Sequence, residues 1–195
     1  MSTKGSETTA DYIPWDEAIR LIKSLYNDKN YRMSLFVSIG CFWGLRVSDI
    51  LELKWSTILD VKSFTVREIK TGKSRSISVN EQLRRHIRKC YEQMHPKSVD
   101  FPVIANRLGE KITTRYLNQE LKRIKVKYNL HIDRISTHSL RKTFGRQVYN
   151  LGGKNAELSL MKLCEIFNHT SVAVTRRYLG LRAEELAETY ESLSF

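Results

Sequence analysis

The sequence predicts an α+β fold that is mostly helical, with one small antiparallel β-sheet in its first half. Three observations lead there. Apolar residues recur three or four apart through most of the chain, the mark of amphipathic helices. Alternation with a period of two is confined to residues 64–79, where two short runs flank a glycine-containing turn. No internal repeat, low-complexity tract or long Pro/Gly linker divides the 195 residues, so a single domain accounts for nearly all of them.

Taken in order, residues 1–12 are small and polar and are expected to form a flexible tail. Pro14 then opens a helix carrying Trp15, Ile19, Ile22 and Leu25 on one face. The apolar stretch from Met33 to Trp43 predicts a buried helix that Gly44 ends, and Ser48 is placed to cap a short helix through Leu53. Phe64, Val66 and Ile69, with Ile77 and Val79, predict two strands joined around Thr71-Gly72-Lys73-Ser74. Helical spacing returns from Asn80 to Met94 and again from Thr113, with Leu117, Leu121 and Ile124. Further helices are expected over 138–151, 157–167 and 171–179, the last capped by Ser171. Residues 184–193 predict a closing amphipathic helix with Glu184, Glu185, Glu188 and Glu191 on its polar side. The body therefore runs over 13–182, and 183–195 form a C-terminal segment.

Composition narrows the function. The longest apolar stretch, Leu35 to Leu45, is interrupted and too short to span a bilayer, and no signal peptide opens the chain. The three cysteines, Cys41, Cys90 and Cys164, are too far apart for a zinc motif and odd in number, which fits a reducing cytoplasm. Lys and Arg exceed Asp and Glu by 33 to 21, a net charge of +12, which favours a polyanionic partner without specifying a reaction.

Several segments carry groups suited to chemistry at a phosphate. In Gly44-Leu45-Arg46-Val47-Ser48-Asp49, a glycine redirects the chain and a new helix starts beside an arginine; Asp49 is placed to hold the Arg46 guanidinium. The hairpin turn offers Lys70 and Lys73, which either keep the sheet edge soluble or reach into a nucleic-acid groove and deliver a proton. In Thr137-His138-Ser139-Leu140-Arg141, the histidine and arginine share one face at a helix start, where backbone N–H groups favour an anion. Farther on come Asn168-His169-Thr170-Ser171 and Thr175-Arg176-Arg177-Tyr178-Leu179-Gly180. Tyr178 is a candidate nucleophile whose phenolate neighbouring cations favour.

The ordered series GLRVSDILEL, KTGK, HSLRKTF and NHTSVAVTRRYLG resembles the tyrosine recombinase, or phage-type integrase, family over residues 13–182. The intervals suit that family too: 92 residues from Arg46 to His138, 28 from Arg141 to His169 and nine from His169 to Tyr178. The resemblance implies a DNA strand transferase that cleaves and rejoins DNA through a 3′-phosphotyrosyl intermediate. Carried over, Arg46 and Arg141 grip the scissile phosphate and Tyr178 attacks it. Lys70, favoured over Lys73 by its KTG context, protonates the leaving oxygen. His138 assists proton transfer, His169 hydrogen-bonds the phosphate, and Asp49 buttresses the pocket. Lys73, Arg75, Lys142, Arg176 and Arg177 are expected to contact DNA, with further phosphate contacts from 84–89 and 107–127.

The resemblance implies double-stranded DNA as partner, a homo-tetramer on DNA from a monomer without it, no cofactor and no metal. It also implies a cytoplasmic, nucleoid-associated protein of bacterial or phage type. Two features depart from the family pattern: Lys142 stands where a second histidine is common, and Phe167-Asn168 replaces Leu-Gly. With about a dozen residues ahead of the first helix, the usual N-terminal core-binding domain is expected to be absent from this sequence, which is either a catalytic fragment or similar to the short, single-domain inversion recombinases. The C-terminal segment is expected either to dock on a neighbouring protomer or to fold back on its own domain. Competing readings are a type IB topoisomerase with a similar pocket and a DNA-binding accessory protein with a dormant recombinase fold.

Overall fold

The computed structural model describes residues 10–193. At its centre lies a helix buried on almost every side. This helix, α2 (Tyr31–Trp43), buries ten of its residues, as its continuous apolar sequence requires. Helix α1 (Trp15–Asn27) packs along it through Ala18, Leu21, Ile22 and Leu25. From the other sides come α5 (Glu81–Met94), capped by Asn80, and α7 (Thr137–Gly152), which starts in a Ser136/Ser139 capping box. Gly40 makes the α2–α7 crossing close: a Cβ there would lie 2.7 Å from Leu140 Cβ. Gly44 ends α2 in the left-handed conformation, φ 57°.

Two single-turn helices, α3 (Val47–Ile50) and α4 (Trp55–Ile58), lead into the hairpin. Arg46, not Ser48, takes the N-cap position of α3, and the helix stops before Leu53. Strands β1 (Ser63–Arg67) and β2 (Ser74–Ser78) pair antiparallel with Phe64 opposite Ile77. The expected alternation holds, with Phe64, Val66 and Ile77 turned inward. Ile69 leaves it: the Glu68 carbonyl accepts from Gly72 N–H at 2.8 Å, so the turn has begun and Ile69 is 59% exposed. Helix α6 (Thr114–Lys127) is capped by Thr113 and buries Leu117, Leu121 and Ile124.

The last three helices form a satellite. Helices α8 (Ala156–Phe167) and α9 (Val172–Leu179) pack on α7, and α10 (Leu181–Glu191) on α9, around Leu160, Leu163, Phe167, Leu179 and Leu181, a cluster separate from the main core. Ser171 caps α9 by accepting from Val174 N–H. Gly145 lets α7 approach, since a Cβ there would lie 2.5 Å from Leu179 and 3.0 Å from Phe167.

Of the tail expected over 1–12, residues 1–9 lie outside the described residues, as do 194–195 at the other end. Residues 10–12 are held: Ala10 is buried and Asp11 bonds the 133–134 loop through backbone and carboxylate. Among the described residues no helix is long and apolar enough to cross a membrane.

Candidate active site

An α-helix leaves its last carbonyls without partners, and its C-terminal end carries partial negative charge. Two such ends meet here, those of α2 and α8, and three arginines fill the space between them. Arg141, on the first turns of α7, donates to the Gly44 carbonyl at 2.5 Å and to the Phe167 carbonyl at 3.1 Å. Arg46 donates to the same Phe167 oxygen at 3.0 Å. Arg75, from β2, donates to Ile166 O at 2.9 Å and Trp43 O at 3.1 Å. Residues 95 positions apart in the chain thus converge on one carbonyl oxygen. Each guanidinium has five N–H groups, so Arg46 and Arg141 keep donors in reserve.

Both open into a cleft of about 170 Å³ lined also by Leu45, Val47, Ser48, Lys70, Thr137 and His138. Lys70 is exposed at its hairpin side, and His138 projects from the α7 start. Lys73 points elsewhere: its Nζ donates to Asn168 Oδ1 at 2.8 Å, docking the hairpin turn on the α8–α9 loop. The cleft therefore gathers Arg46, Lys70, His138 and Arg141.

Phe167 joins this cleft to the satellite. Its ring lies 4.2 Å beneath the Arg141 guanidinium carbon and packs against Tyr178 and His169 with centroids 5.5 and 5.4 Å away. His169 and Tyr178 meet edge to face at 5.2 Å, and His169 Nδ1 lies 3.0 Å from Thr175 Oγ1. Asn168 follows at φ 52°, which explains the departure from Leu-Gly: this helix end needs a left-handed residue, and asparagine accepts that conformation best after glycine.

Burial dominates the electrostatics. It pushes Arg141 down to about 10, helped by Arg46 and Arg75 and opposed by Tyr178 and Glu68. Burial first, then Arg141, Arg46 and Lys70, pushes His169 down to about 4, so its ring is neutral at neutral pH. His138 is lowered by burial and by the neighbouring Arg141, Lys142, Lys70 and Arg46. Tyr178 runs against expectation. Arg141 and Arg46 do favour its phenolate, but burial outweighs them and its pKa is raised. Its hydroxyl is shielded from solvent beside the Arg141 guanidinium and makes no well-formed hydrogen bond among the described residues.

One expected pairing changes, and two residues expected on DNA make contacts within the protein. Asp49 does not hold Arg46; its Oδ1 accepts from Ile69 N–H at 3.0 Å and so pins the hairpin turn. The carboxylate that holds Arg46 belongs to Glu68, 2.6 Å from Nη1 and 3% exposed. Arg75, expected on DNA, gives both terminal nitrogens to helix-end carbonyls. Lys142, also expected on DNA, is 8% exposed with its ammonium over the Tyr178 ring at 5.4 Å. Arg176 pairs with Glu157, while Arg177 is exposed. Sequence reasoning missed Glu68, Phe167 as the shared acceptor, and Arg146, which ties α7 to Glu184 of α10 and to Tyr12. The only prior signal for Glu68 was a glutamate two residues before Lys70 at a strand end.

In the basic stretches, ion pairs occupy much of the charge. Arg84 and Arg85 meet Glu81, Arg88 meets Asp60, Lys111 meets Glu52, Arg123 meets Glu120 and Lys127 meets Asp28. Arg107, Arg115 and Lys122 are exposed and form no ion pair among the described residues.

A helical domain with an arginine-lined cleft beside a shielded tyrosine is the arrangement expected of a tyrosine-type recombinase, and the comparisons show the family and the fold. The profile of the phage integrase family matches residues 12–185, and the chain belongs to that family of site-specific recombinases. It is 29% identical over 175 residues to the probable integrase/recombinase YoeC of Bacillus subtilis, covering 90% of this chain and 92% of that one. It is 25% identical over 167 residues to tyrosine recombinase XerC of Staphylococcus epidermidis, covering 84% of this chain but 54% of XerC. The crystal structure of XerA recombinase superposes with a TM-score of 0.73 at 24% identity, over 99% of this chain and 68% of that one, which establishes the shared fold. These matches lend no support to the topoisomerase or accessory readings.

Proposed function

We propose that this chain breaks and rejoins double-stranded DNA at a specific site, with Tyr178 as nucleophile. The observation that carries the reading is the convergence of Arg46 and Arg141 on one oxygen beside Tyr178, whose hydroxyl is shielded from solvent next to the Arg141 guanidinium. A non-bridging phosphate oxygen arriving from the cleft meets the spare N–H groups of both guanidiniums. Arginine suits this task because its planar fork stays charged and binds phosphate in two places.

The Tyr178 oxygen then attacks phosphorus. A P–O(Tyr) bond forms and the bond to the 5′ oxygen breaks, leaving a 3′-phosphotyrosyl link and a free 5′-hydroxyl. Lys70 donates the proton that the departing oxygen takes. His138 assists removal of the phenolic proton, and neutral His169 serves as a hydrogen-bonding group at the phosphate. Both arginines count most as negative charge builds at the pentacoordinate phosphorus. The ionic cluster favours an anion there: Arg46, Arg75 and Arg141 against Asp49 and Glu68 leave one positive charge before Lys70 is added. The link stores the phosphodiester energy, so the scheme needs neither metal nor nucleotide. Rejoining is the reverse attack by a 5′-hydroxyl from the partner strand.

Because the hydroxyl is shielded, attack requires α9 to shift on α7 as phosphate enters. Exposed Arg107, Arg115 and Lys122 supply backbone contacts to DNA. Four copies act together on DNA in the cytoplasm, and support for an interface comes from α10. Leu181 is buried in the satellite, whereas Leu186, Tyr190 and Leu193 are 52%, 74% and 76% exposed. The helix base folds back and its far end is left for a neighbour.

The test is covalent capture. The protein is incubated with a library of nicked duplexes whose central sequence is randomised, and DNA retained on protein in SDS is sequenced. The expected result is an enriched site and an adduct that Tyr178→Phe abolishes. Arg46→Ala or Arg141→Ala is expected to slow adduct formation by about 10²-fold or more. An adduct persisting in Tyr178→Phe overturns the assignment of the nucleophile.

A further inference from the structure

Lys70 and Arg46 belong to different elements and do opposite jobs in the proposed reaction, one at the leaving oxygen and one at the phosphate. A single carboxylate oxygen stands between their supports. Glu68 Oε2 accepts from Arg46 Nη1 at 2.6 Å and from Thr71 Oγ1 at 3.0 Å. Thr71 adjoins Lys70 in the turn, and its hydroxyl also accepts from Lys73 N–H at 3.3 Å. The Glu68 backbone is fixed as well, donating to Lys73 O at 2.9 Å and accepting from Gly72 N–H at 2.8 Å. At 3% exposure the residue has no freedom to serve as a surface ion pair, and its second oxygen is buried without a partner.

We propose that Glu68 is a positioning residue that couples the hairpin turn presenting Lys70 to the guanidinium of Arg46, so that phosphate grip and leaving-group protonation are aligned together. The inference rests on the function proposed above for Arg46 and Lys70. Physically, the carboxylate sits where repulsion weakens binding of a phosphate. A group retained for affinity would not be negative there; one retained for geometry can be. Burial opposes the Glu68 charge, and Arg46 first, then Thr71 and Arg141, outweigh it and hold the carboxyl below its usual range, so its charge is directed at the clamp and the turn that it joins. Removing that charge leaves the clamp more cationic but less well aimed, which predicts a split between binding and rate.

The experiment compares Glu68→Gln, Thr71→Val and Lys70→Ala on the captured DNA site in two forms. One has an ordinary linkage, and the other has sulfur replacing the 5′ bridging oxygen. In the second form a P–S bond breaks, and the thiolate leaves without needing a proton. Glu68→Gln is expected to bind the DNA as tightly as the unaltered chain or more tightly. It is expected to form adduct about tenfold to a hundredfold more slowly, the scale of a small misplacement of reacting groups. With the sulfur linkage, Lys70→Ala and Thr71→Val regain nearly all their loss. Glu68→Gln regains only the share that passes through Lys70 and retains the share that passes through Arg46.

A Glu68→Gln rate equal to that of the unaltered chain overturns the proposal. So does complete rescue or no rescue by sulfur, because either means that only one side was held. If Glu68→Gln fails to fold by circular dichroism, Thr71→Val decides, and an unaltered rate there overturns the coupling. Failure of sulfur to rescue Lys70→Ala instead overturns the role of Lys70, leaving the two failures distinguishable.

Discussion

The groups that hold the phosphate in the proposed reaction and the group that attacks it stand on unlike foundations. Arg46 and Arg141 rise from the ends of α2 and α7, which belong to a core of 33 buried apolar residues among those described. Tyr178 belongs to a satellite built, among the described residues, on five. At roughly 1.5–3 kcal/mol for each fully buried large apolar side chain, the satellite cannot match the main core in resistance to opening. The lesson is a division of labour. Transition-state stabilisation depends on donors that do not reorganise, whereas a nucleophile shielded before DNA arrives has to move. Phe167 spans the two, with its carbonyl serving the arginines and its ring serving Tyr178 and His169.

The strongest way to break this contrast is Phe167→Ala. The ring is fully buried, and its loss is expected to cost about 3–5 kcal/mol. That cost falls on the satellite. Amide hydrogen exchange is expected to accelerate across α8 and α9 while α2 and α5 keep their protection. Ile39→Ala in the main core, also fully buried, is expected to cost about 2–5 kcal/mol and to lower protection throughout. If Phe167→Ala loosens α2 as much as α9, the two cores unfold as one and the division is wrong.

How much of this was visible in the sequence follows the same line. Helix caps at Asn80, Thr113 and Ser171, the stop at Gly44 and the hairpin alternation were legible because each is local chemistry. The gathering of Arg46, Lys70, His138 and Arg141 was legible only through their order, since no local rule brings residues so far apart together. What stayed hidden depended on three-dimensional competition. Asp49 and Glu68 are both acids near Arg46, and only the docking of the hairpin decides that Glu68 takes the guanidinium while Asp49 takes a backbone N–H. Arg75 reads as a basic surface residue until two helix ends are seen to need its donors. The raised pKa of Tyr178 reflects burial against the charges around it, and spacing carries no measure of burial.

A smaller effect sharpens the contrast at the seam. Gly145→Ala places a methyl group against Leu179 and Phe167, in the gap that lets the satellite sit on α7. Overpacking of this kind costs about 1–3 kcal/mol. Because the neighbours belong to the smaller cluster, the expected relief is displacement of α9, so solvent reaches Tyr178 more often. Tyrosine nitration followed by mass spectrometry is expected to rise at Tyr178 and stay level at Tyr116, which packs against the main core.

The mildest handle is pH, and its sign is set by His169. Its pKa, about 4 in the closed satellite, lies below the ordinary histidine value of 6.5, with burial as the first cause and Arg141, Arg46 and Lys70 following. The open state therefore binds a proton that the closed state refuses, and closure weakens as pH falls through the window between those values. His138 shifts in the same direction, but it stands at the start of α7 in the cleft and is not part of the satellite. The effect is modest because the ring is only half-buried and solvent screens its charge. From about pH 7 to about pH 5, exchange in α9 is expected to quicken relative to α2. Burial also lowers His86, so the main core carries a dependence of its own, and the comparison must isolate the satellite. His169→Gln does so by removing the titrating ring, and it is expected to flatten the response of α9 while leaving that of α2 in place. An unchanged response in α9 would mean that opening is governed by charges outside the seam, and the satellite would lose its claim to independent motion. A phosphate in the cleft reverses the sign of the local field, so DNA is expected to raise both histidines and to make closure less sensitive to acid.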